Sequence, residues 1–172
     1  MLKNILKVVI IISFLILISS CKDQKNKRIV KSNILIEKRN GLIYKQRSEK
    51  PYTGIIVDTL NGKIMEYYVK DGLKNGPFKI SGIDGNVEIS GNMINDKNEG
   101  EWRYYFLNGK LESVGDFKND TPSGKWTFFY RTGIKKEEGE YKNGKRDGKW
   151  IEFDSLGKVN NYTFFSKGDT IK

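Results

Sequence analysis

The chain has 172 residues, with 31 lysines and arginines against 21 aspartates and glutamates, a net charge of +10, one cysteine and no histidine. Without histidine there is no imidazole base, shuttle or metal ligand, and a single cysteine excludes an intrachain disulfide. Eighteen glycines and only three prolines suggest many tight turns rather than a helical bundle.

Residues 1–20 read as a lipoprotein signal peptide. Lys3 and Lys7 precede an uncharged run from Val8 to Ser20. That run is shorter than the about 20 apolar residues a membrane-spanning helix takes, and suits a secretory h-region behind a positive n-region. It closes on Ile18-Ser19-Ser20-Cys21, which resembles a bacterial lipobox. Cys21 is therefore the expected lipidation site, and the expected address is the bacterial cell envelope, at the outer membrane where the cell has one. Acyl chains contribute about 0.8 kcal/mol per buried methylene, enough in combination for stable anchoring. Cys21-Lys22-Asp23-Gln24 partly resembles an export signal to the cell surface.

Residues 21–33 read as a basic tether. Residues 22–40 hold seven basic and two acidic side chains. Removing that +5, with Lys3 and Lys7, from the total of +10 leaves +3 for residues 41–172. Such a tether beside a lipid anchor is drawn to anionic headgroups, and the nearly balanced remainder argues against nucleic-acid binding.

From residue 34 to 172 the chain reads as one repeat domain. Asn40-Gly41 opens a half unit, and an irregular copy starts at Gly54. Then Gly76-Pro77-Phe78, Gly100-Glu101-Trp102, Gly124-Lys125-Trp126 and Gly148-Lys149-Trp150 recur at a constant step along the chain. A second glycine follows in each copy, at Gly85, Gly109, Gly133 and Gly157. The runs between glycine-bearing turns are of strand length, too short for stable independent helices, and rich in Tyr, Phe, Trp, Ile and Val. The expected fold is all-β: an elongated, single-layer antiparallel meander of hairpins in 24-residue units.

The inner turns, Asn61-Gly62, Asp84-Gly85, Asn108-Gly109, Thr132-Gly133 and Leu156-Gly157, are expected to be two-residue turns with positive φ, for which Asn-Gly and Asp-Gly are suited. The outer segments Asn95–Glu99, Asn119–Ser123 and Asn143–Asp147 read as longer solvent loops. Counting from the inner turns sets Trp102 opposite Gly115, Trp126 opposite Gly139, Phe78 opposite Gly91 and Trp150 opposite Thr163. A large ring over a bare strand glycine compensates the missing side chain. The structural ladder is thus expected at Phe78, Gly91, Trp102, Gly115, Trp126, Gly139 and Trp150, with sugar-stacking by the tryptophans as the alternative. The other face should carry a stripe of Tyr105, Phe129 and Phe153, opposite Glu112, Lys136 and Asn160. This stripe is the candidate partner surface.

The Gly-x-Trp-x-x-Tyr/Phe-x-x-x-Gly rhythm, with Asn40-Gly41-Leu42-Ile43-Tyr44, Pro51-Tyr52-Thr53-Gly54 and the stretch Tyr141 to Trp150, resembles the MORN-type repeat in its bacterial variant, from Ile34 to Phe165. Some members of that group are called YwqK-type antitoxins. The resemblance implies a hairpin meander, scaffold or binding work, some of it at membranes, and no common catalytic residues. Ser81-Gly82-Ile83 interrupts the aromatic pattern in an early unit.

No catalytic, metal or cofactor site emerges. Serines lack a histidine to activate them. Glu137 and Glu138 fall on opposite faces of a strand, and Asp116 and Glu140 suit solvent-facing strand positions. The expected function is a non-catalytic, lipid-anchored envelope protein that binds or scaffolds another protein. The alternatives are binding of glycans or phospholipid headgroups by the repeat face, and antitoxin-like neutralisation of a partner protein.

Overall fold

The computed structural model describes residues 36–171, and every regular element among them is a β-strand. The expected signal peptide at 1–20, the tether at 21–33 and Cys21 lie outside the described residues. A two-stranded sheet of β1 (Ile36–Arg39) and β2 (Leu42–Lys45) comes first. Eleven strands follow in one antiparallel sheet: β3 (Gly54–Leu60), β4 (Lys63–Lys70), β5 (Leu73–Gly82), β6 (Val87–Ile94), β7 (Lys97–Tyr105), β8 (Leu111–Lys118), β9 (Thr121–Phe129), β10 (Lys135–Lys142), β11 (Lys145–Phe153), β12 (Val159–Ser166) and β13 (Asp169–Ile171). Their order in the sheet is their order in the chain, so each strand pairs with its sequence neighbours. The chain forms the expected meander of hairpins.

The turns reverse the expectation. The outer segments are the two-residue turns with both central residues at positive φ: Asn95 and Asp96 (50° and 66°), Asn119 and Asp120 (50° and 65°), Asn143 and Gly144 (52° and 76°). Asn, Asp and Gly are the residues that enter this region at low cost. Of the inner turns, only Asn61-Gly62 is of this kind, at 51° and 74°. At the other four the glycine alone has positive φ. There the Gly109 N–H donates to the Phe106 carbonyl at 2.8 Å, and the Phe106 N–H donates to the Lys110 carbonyl at 2.9 Å. This is a three-residue loop closed by a glycine bulge, and it recurs at 82–86, 130–134 and 154–158. Thr132 and Leu156 carry side chains that resist positive φ, so the longer loop relieves them.

A second irregularity follows each of these loops. Pairing slips by one residue between Tyr104–Ser113 and Tyr105–Leu111, between Phe128–Glu137 and Phe129–Lys135, and between Glu152–Asn161 and Phe153–Val159. The loop's extra residue and this bulge offset one another. Beyond them the register is therefore the expected one: Trp102 opposite Gly115, Trp126 opposite Gly139, Phe78 opposite Gly91 and Trp150 opposite Thr163.

Successive outer turns are stitched together. The N–H of Asp96, Asp120, Gly144 and Gly168 donates to the carbonyl of Lys74, Asn98, Pro122 and Arg146 respectively, at 2.9–3.1 Å. In return the Asp96 and Asp120 carboxylates accept the N–H of Lys74 and Asn98, each at 2.7 Å. Each hairpin thus leans on the next, as nearest-neighbour stability requires. At the N-terminal end Ile43, Ile56, Tyr67 and Val69 form a buried cluster, with Tyr52, Met65 and Phe78 packed on it. Ile43 ties β2 to the turn between β4 and β5 through its N–H, which donates to the Gly72 carbonyl at 2.9 Å.

Candidate functional site

One face of the sheet carries the ring ladder. Gly100, Gly124 and Gly148 have φ of 71°, 64° and 67°, and each lies where two extra residues interrupt the pairing to the preceding strand. This bulge sends the tryptophan two residues later back across the previous hairpin. A Cβ at Gly91 would overlap the ring of Trp102, one at Gly115 that of Trp126, and one at Gly139 that of Trp150. The indole N–H groups of Trp102, Trp126 and Trp150 donate to the carbonyls of Asn92, Asp116 and Glu140 at 3.1–3.2 Å, each ten residues back.

This refines the expected ladder. All seven residues, Phe78, Gly91, Trp102, Gly115, Trp126, Gly139 and Trp150, share one face, but the ring lying on each glycine comes from the following hairpin. Both assignments are compatible with the repeat period, and only the local hairpin count favoured the first. Tyr67 occupies the place one full period ahead of Gly91, and its ring stacks 6.2 Å from that of Phe78. Phe117 stands edge-on between Trp102 (6.0 Å) and Trp126 (5.3 Å), and Tyr141 between Trp126 (5.7 Å) and Trp150 (5.2 Å).

Cations close the ladder at each end. Lys74 Nζ lies 5.3 Å over the Tyr67 ring. The Arg146 guanidinium lies 3.9 Å over Trp150 and grips Glu137 through two bonds of 2.6 and 2.9 Å. Burial favours loss of the Arg146 proton, but the Glu137 bonds outweigh it and hold the guanidinium above its ordinary pKa. The tryptophans are 4%, 6% and 0% exposed. Buried to this extent, their ring faces are not presented as sugar platforms.

The other face carries Tyr105, Phe129 and Phe153, each half-buried and, by strand alternation, opposite the Trp ladder. Their cross-strand partners are Leu111, Lys135 and Val159, not Glu112, Lys136 and Asn160, because those three residues are the ones bulged out. The stripe is accordingly more apolar than expected. Lys135 lays its ammonium 5.4 Å over Phe153 and 2.8 Å from Glu138, which also meets Lys125 at 2.9 Å. Burial works to raise the Glu138 carboxyl, and the two lysines overcome it, so Glu138 titrates below the usual carboxylate range.

Two grooves escaped the sequence reading. One of about 400 Å³ is lined by Ile55, Tyr68, Pro77 and Lys79 among others. The second, of about 430 Å³, lies at the last outer turns between Lys142, Lys145 and Lys167. Lysines next to outer turns were the available signal for the second. Among the described residues no group of three His, Cys, Asp or Glu side chains is placed to hold a metal ion.

Residues 98–119 and 122–143 match the MORN repeat variant family as two adjacent repeats. The match begins just after one outer turn and restarts just after the next, so the matched unit coincides with one structural repeat. Comparison with curated proteins finds no match.

Proposed function

We propose that this MORN-variant repeat protein is a non-catalytic binding module of the bacterial cell envelope, anchored through Cys21, whose Tyr105–Phe129–Phe153 face docks another protein. MORN-variant repeats are generally non-enzymatic, and repeats of this kind often bind proteins or membranes. The observation that supports the reading is the stripe itself. Three aromatic residues recur at the same place in consecutive hairpins, flanked by Leu111 and Val159, while the tryptophans are consumed by the ladder. Repeated half-exposed aromatics on a rigid sheet suit an interface core, where aromatic anchors dominate binding. Pull-down from envelope extracts with the full chain, repeated with Phe129→Ser and Phe153→Ser together, tests this. A partner captured equally well by both would rule out the face.

A second reading has its own support. The groove among Lys142, Lys145 and Lys167, also lined by Asp147, has three cations against one carboxylate and suits an anionic group of a phospholipid or glycan. Binding to vesicles with and without anionic lipid, and to charged and neutral polysaccharides, separates the two ligands. Loss of binding in Lys142→Gln/Lys145→Gln/Lys167→Gln would assign it to the groove.

A further inference from the structure

The described residues contain the steps Asn40-Gly41, Asn61-Gly62, Asn75-Gly76, Asn108-Gly109 and Asn143-Gly144. An asparagine before glycine is open to attack from within the chain. The glycine nitrogen has no side chain beside it, and it can reach the asparagine Cγ to close a five-membered succinimide ring.

The same dipeptide is held very differently along the sheet. Asn61-Gly62 and Asn143-Gly144 have nearly the same backbone, with φ of 51° and 74° against 52° and 76°. They differ in one bond. Gly144 donates its N–H to the Pro122 carbonyl at 3.1 Å, as part of the stitching between outer turns. Asn61 and Gly62 are both exposed, and the Gly62 N–H has no partner among the described residues. Asn40-Gly41, the turn between β1 and β2, matches the free case: φ is 52° and 79°, both residues are exposed, and the Gly41 N–H has no partner among the described residues. Asn108-Gly109 is held twice. The Gly109 N–H donates to the Phe106 carbonyl at 2.8 Å, and the Asn108 amide donates to the Arg131 carbonyl at 3.0 Å. Asn75-Gly76 lies half-buried within β5, with the Asn75 amide on the Asn95 side-chain oxygen at 3.1 Å.

We propose that Asn40 and Asn61 are sites of spontaneous deamidation to aspartate and isoaspartate, and that the outer-turn stitching shields Asn143 from the same reaction. The Gly62 nitrogen gives up its proton and bonds to Asn61 Cγ. The Cγ–Nδ2 bond breaks, and the amide nitrogen leaves as ammonia with that proton. Water, the one co-reactant, then opens the ring. Cleavage of the new N–Cγ bond leaves aspartate in an ordinary peptide. Cleavage at the former main-chain carbonyl carbon routes the backbone through Cγ and leaves isoaspartate. Gly41 and Asn40 react in the same way.

Two effects separate the sites. A glycine nitrogen whose N–H is held by a carbonyl must lose that bond before it attacks, which shifts the opening equilibrium by roughly two- to tenfold. Ring closure also takes the asparagine out of its turn conformation. At an exposed tip this disturbs the tip alone, whereas at Asn143 it pulls on the neighbouring hairpin. The products have consequences at Asn61, because a two-residue turn sets the register of its strands. Isoaspartate adds a backbone methylene between β3 and β4, and either product adds a negative charge beside Leu60.

The test holds the full chain, folded in mild detergent, in mildly alkaline buffer made with heavy-oxygen water. Digestion and mass spectrometry then read the label at each asparagine, with a second sample held in urea. In the folded chain Asn40 and Asn61 should gain label at least about threefold faster than Asn108 and Asn143. In urea the rates should draw together, because the bonds that separate them are gone. Asn143 converting as fast as Asn61 in the folded chain, a ranking that urea leaves unchanged, or no conversion at Asn40 and Asn61 would each overturn the proposal.

Discussion

The Trp126 indole lies on Gly115, and its N–H donates to the next carbonyl, that of Asp116, at 3.2 Å. The two residues belong to different hairpins. The contact therefore couples one repeat to the one before it, and the same contact at Trp102 on Gly91 and Trp150 on Gly139 extends the coupling along the sheet.

This arrangement predicts an asymmetric double-mutant cycle. Gly115→Ala should cost about 1–3 kcal/mol by overpacking, and Trp126→Ala about 3–5 kcal/mol by removing a large buried ring. With Trp126 already Ala, the added cost of Gly115→Ala should nearly vanish, whereas with Trp102→Ala it should persist. Urea denaturation of the four chains in each cycle measures the coupling. Equal coupling to both rings would contradict the cross-hairpin contact.

The bulge glycines should resist substitution for a different reason. Gly124 has φ of 64° and no side chain close enough to obstruct a Cβ there, its nearest contact being an Asp116 carboxylate oxygen at 3.8 Å. Gly124→Ala should thus destabilise by about 1–2 kcal/mol through backbone strain alone. Ser123→Ala, one residue earlier, should change stability little. Thermal melts of the pair separate backbone strain from crowding.

Glu138 gives a pH signature. Against the effect of burial, Lys135 and Lys125 hold its carboxyl below the ordinary pKa. A depressed folded-state pKa means stabilisation that is complete above the unfolded-state value and lost as pH falls through the folded one. The wild type should therefore lose more stability than Glu138→Gln on going from pH 7 into the acid range below the usual carboxylate pKa. Melting temperatures of the two across that range should converge at the acid end, and parallel curves would deny Glu138 this role.

Arg146 should not be replaceable by lysine. Its planar guanidinium both forks onto Glu137 and lies 3.9 Å over the Trp150 ring, a combination an ammonium cannot reproduce. Arg146→Lys should loosen the β10–β12 hairpins by about 1 kcal/mol, with the pair's partial exposure limiting the effect. Amide hydrogen exchange should speed up there and not in β3–β5. Uniform acceleration across the sheet would point instead to global destabilisation.

Much of the architecture was legible beforehand because it follows from local chemistry and period. Glycines returning at a constant step, each with an aromatic two places on, specified a meander of hairpins. The turn types were legible only in part. The outer segments looked long because the strand after each turn carries a bulge glycine, so Gly100 or Gly124 read as the end of a loop rather than as an interruption within β7 or β9. The inner Asn-Gly pairs suggested two-residue turns because the dipeptide suits either hairpin loop, and the choice between them depends on strand twist and on the next bulge. The expected partners Glu112, Lys136 and Asn160 of the aromatic stripe failed for this reason, while Trp102–Gly115 held because two one-residue offsets cancelled.

The amino-acid sequence alone determined the strand content, the sheet order and the identity of the ladder residues, since each depends on spacing within a repeat. Which ring covers which glycine was decided only in three dimensions. The period sets every tryptophan between two candidate glycines at nearly equal distance along the chain, as Trp102 stands between Gly91 and Gly115, and spacing assigns equal weight to both. The positive-φ bulges at Gly100, Gly124 and Gly148 break the tie by tilting each indole backwards. Its N–H finds a carbonyl there, and its ring lies on a strand position without a side chain.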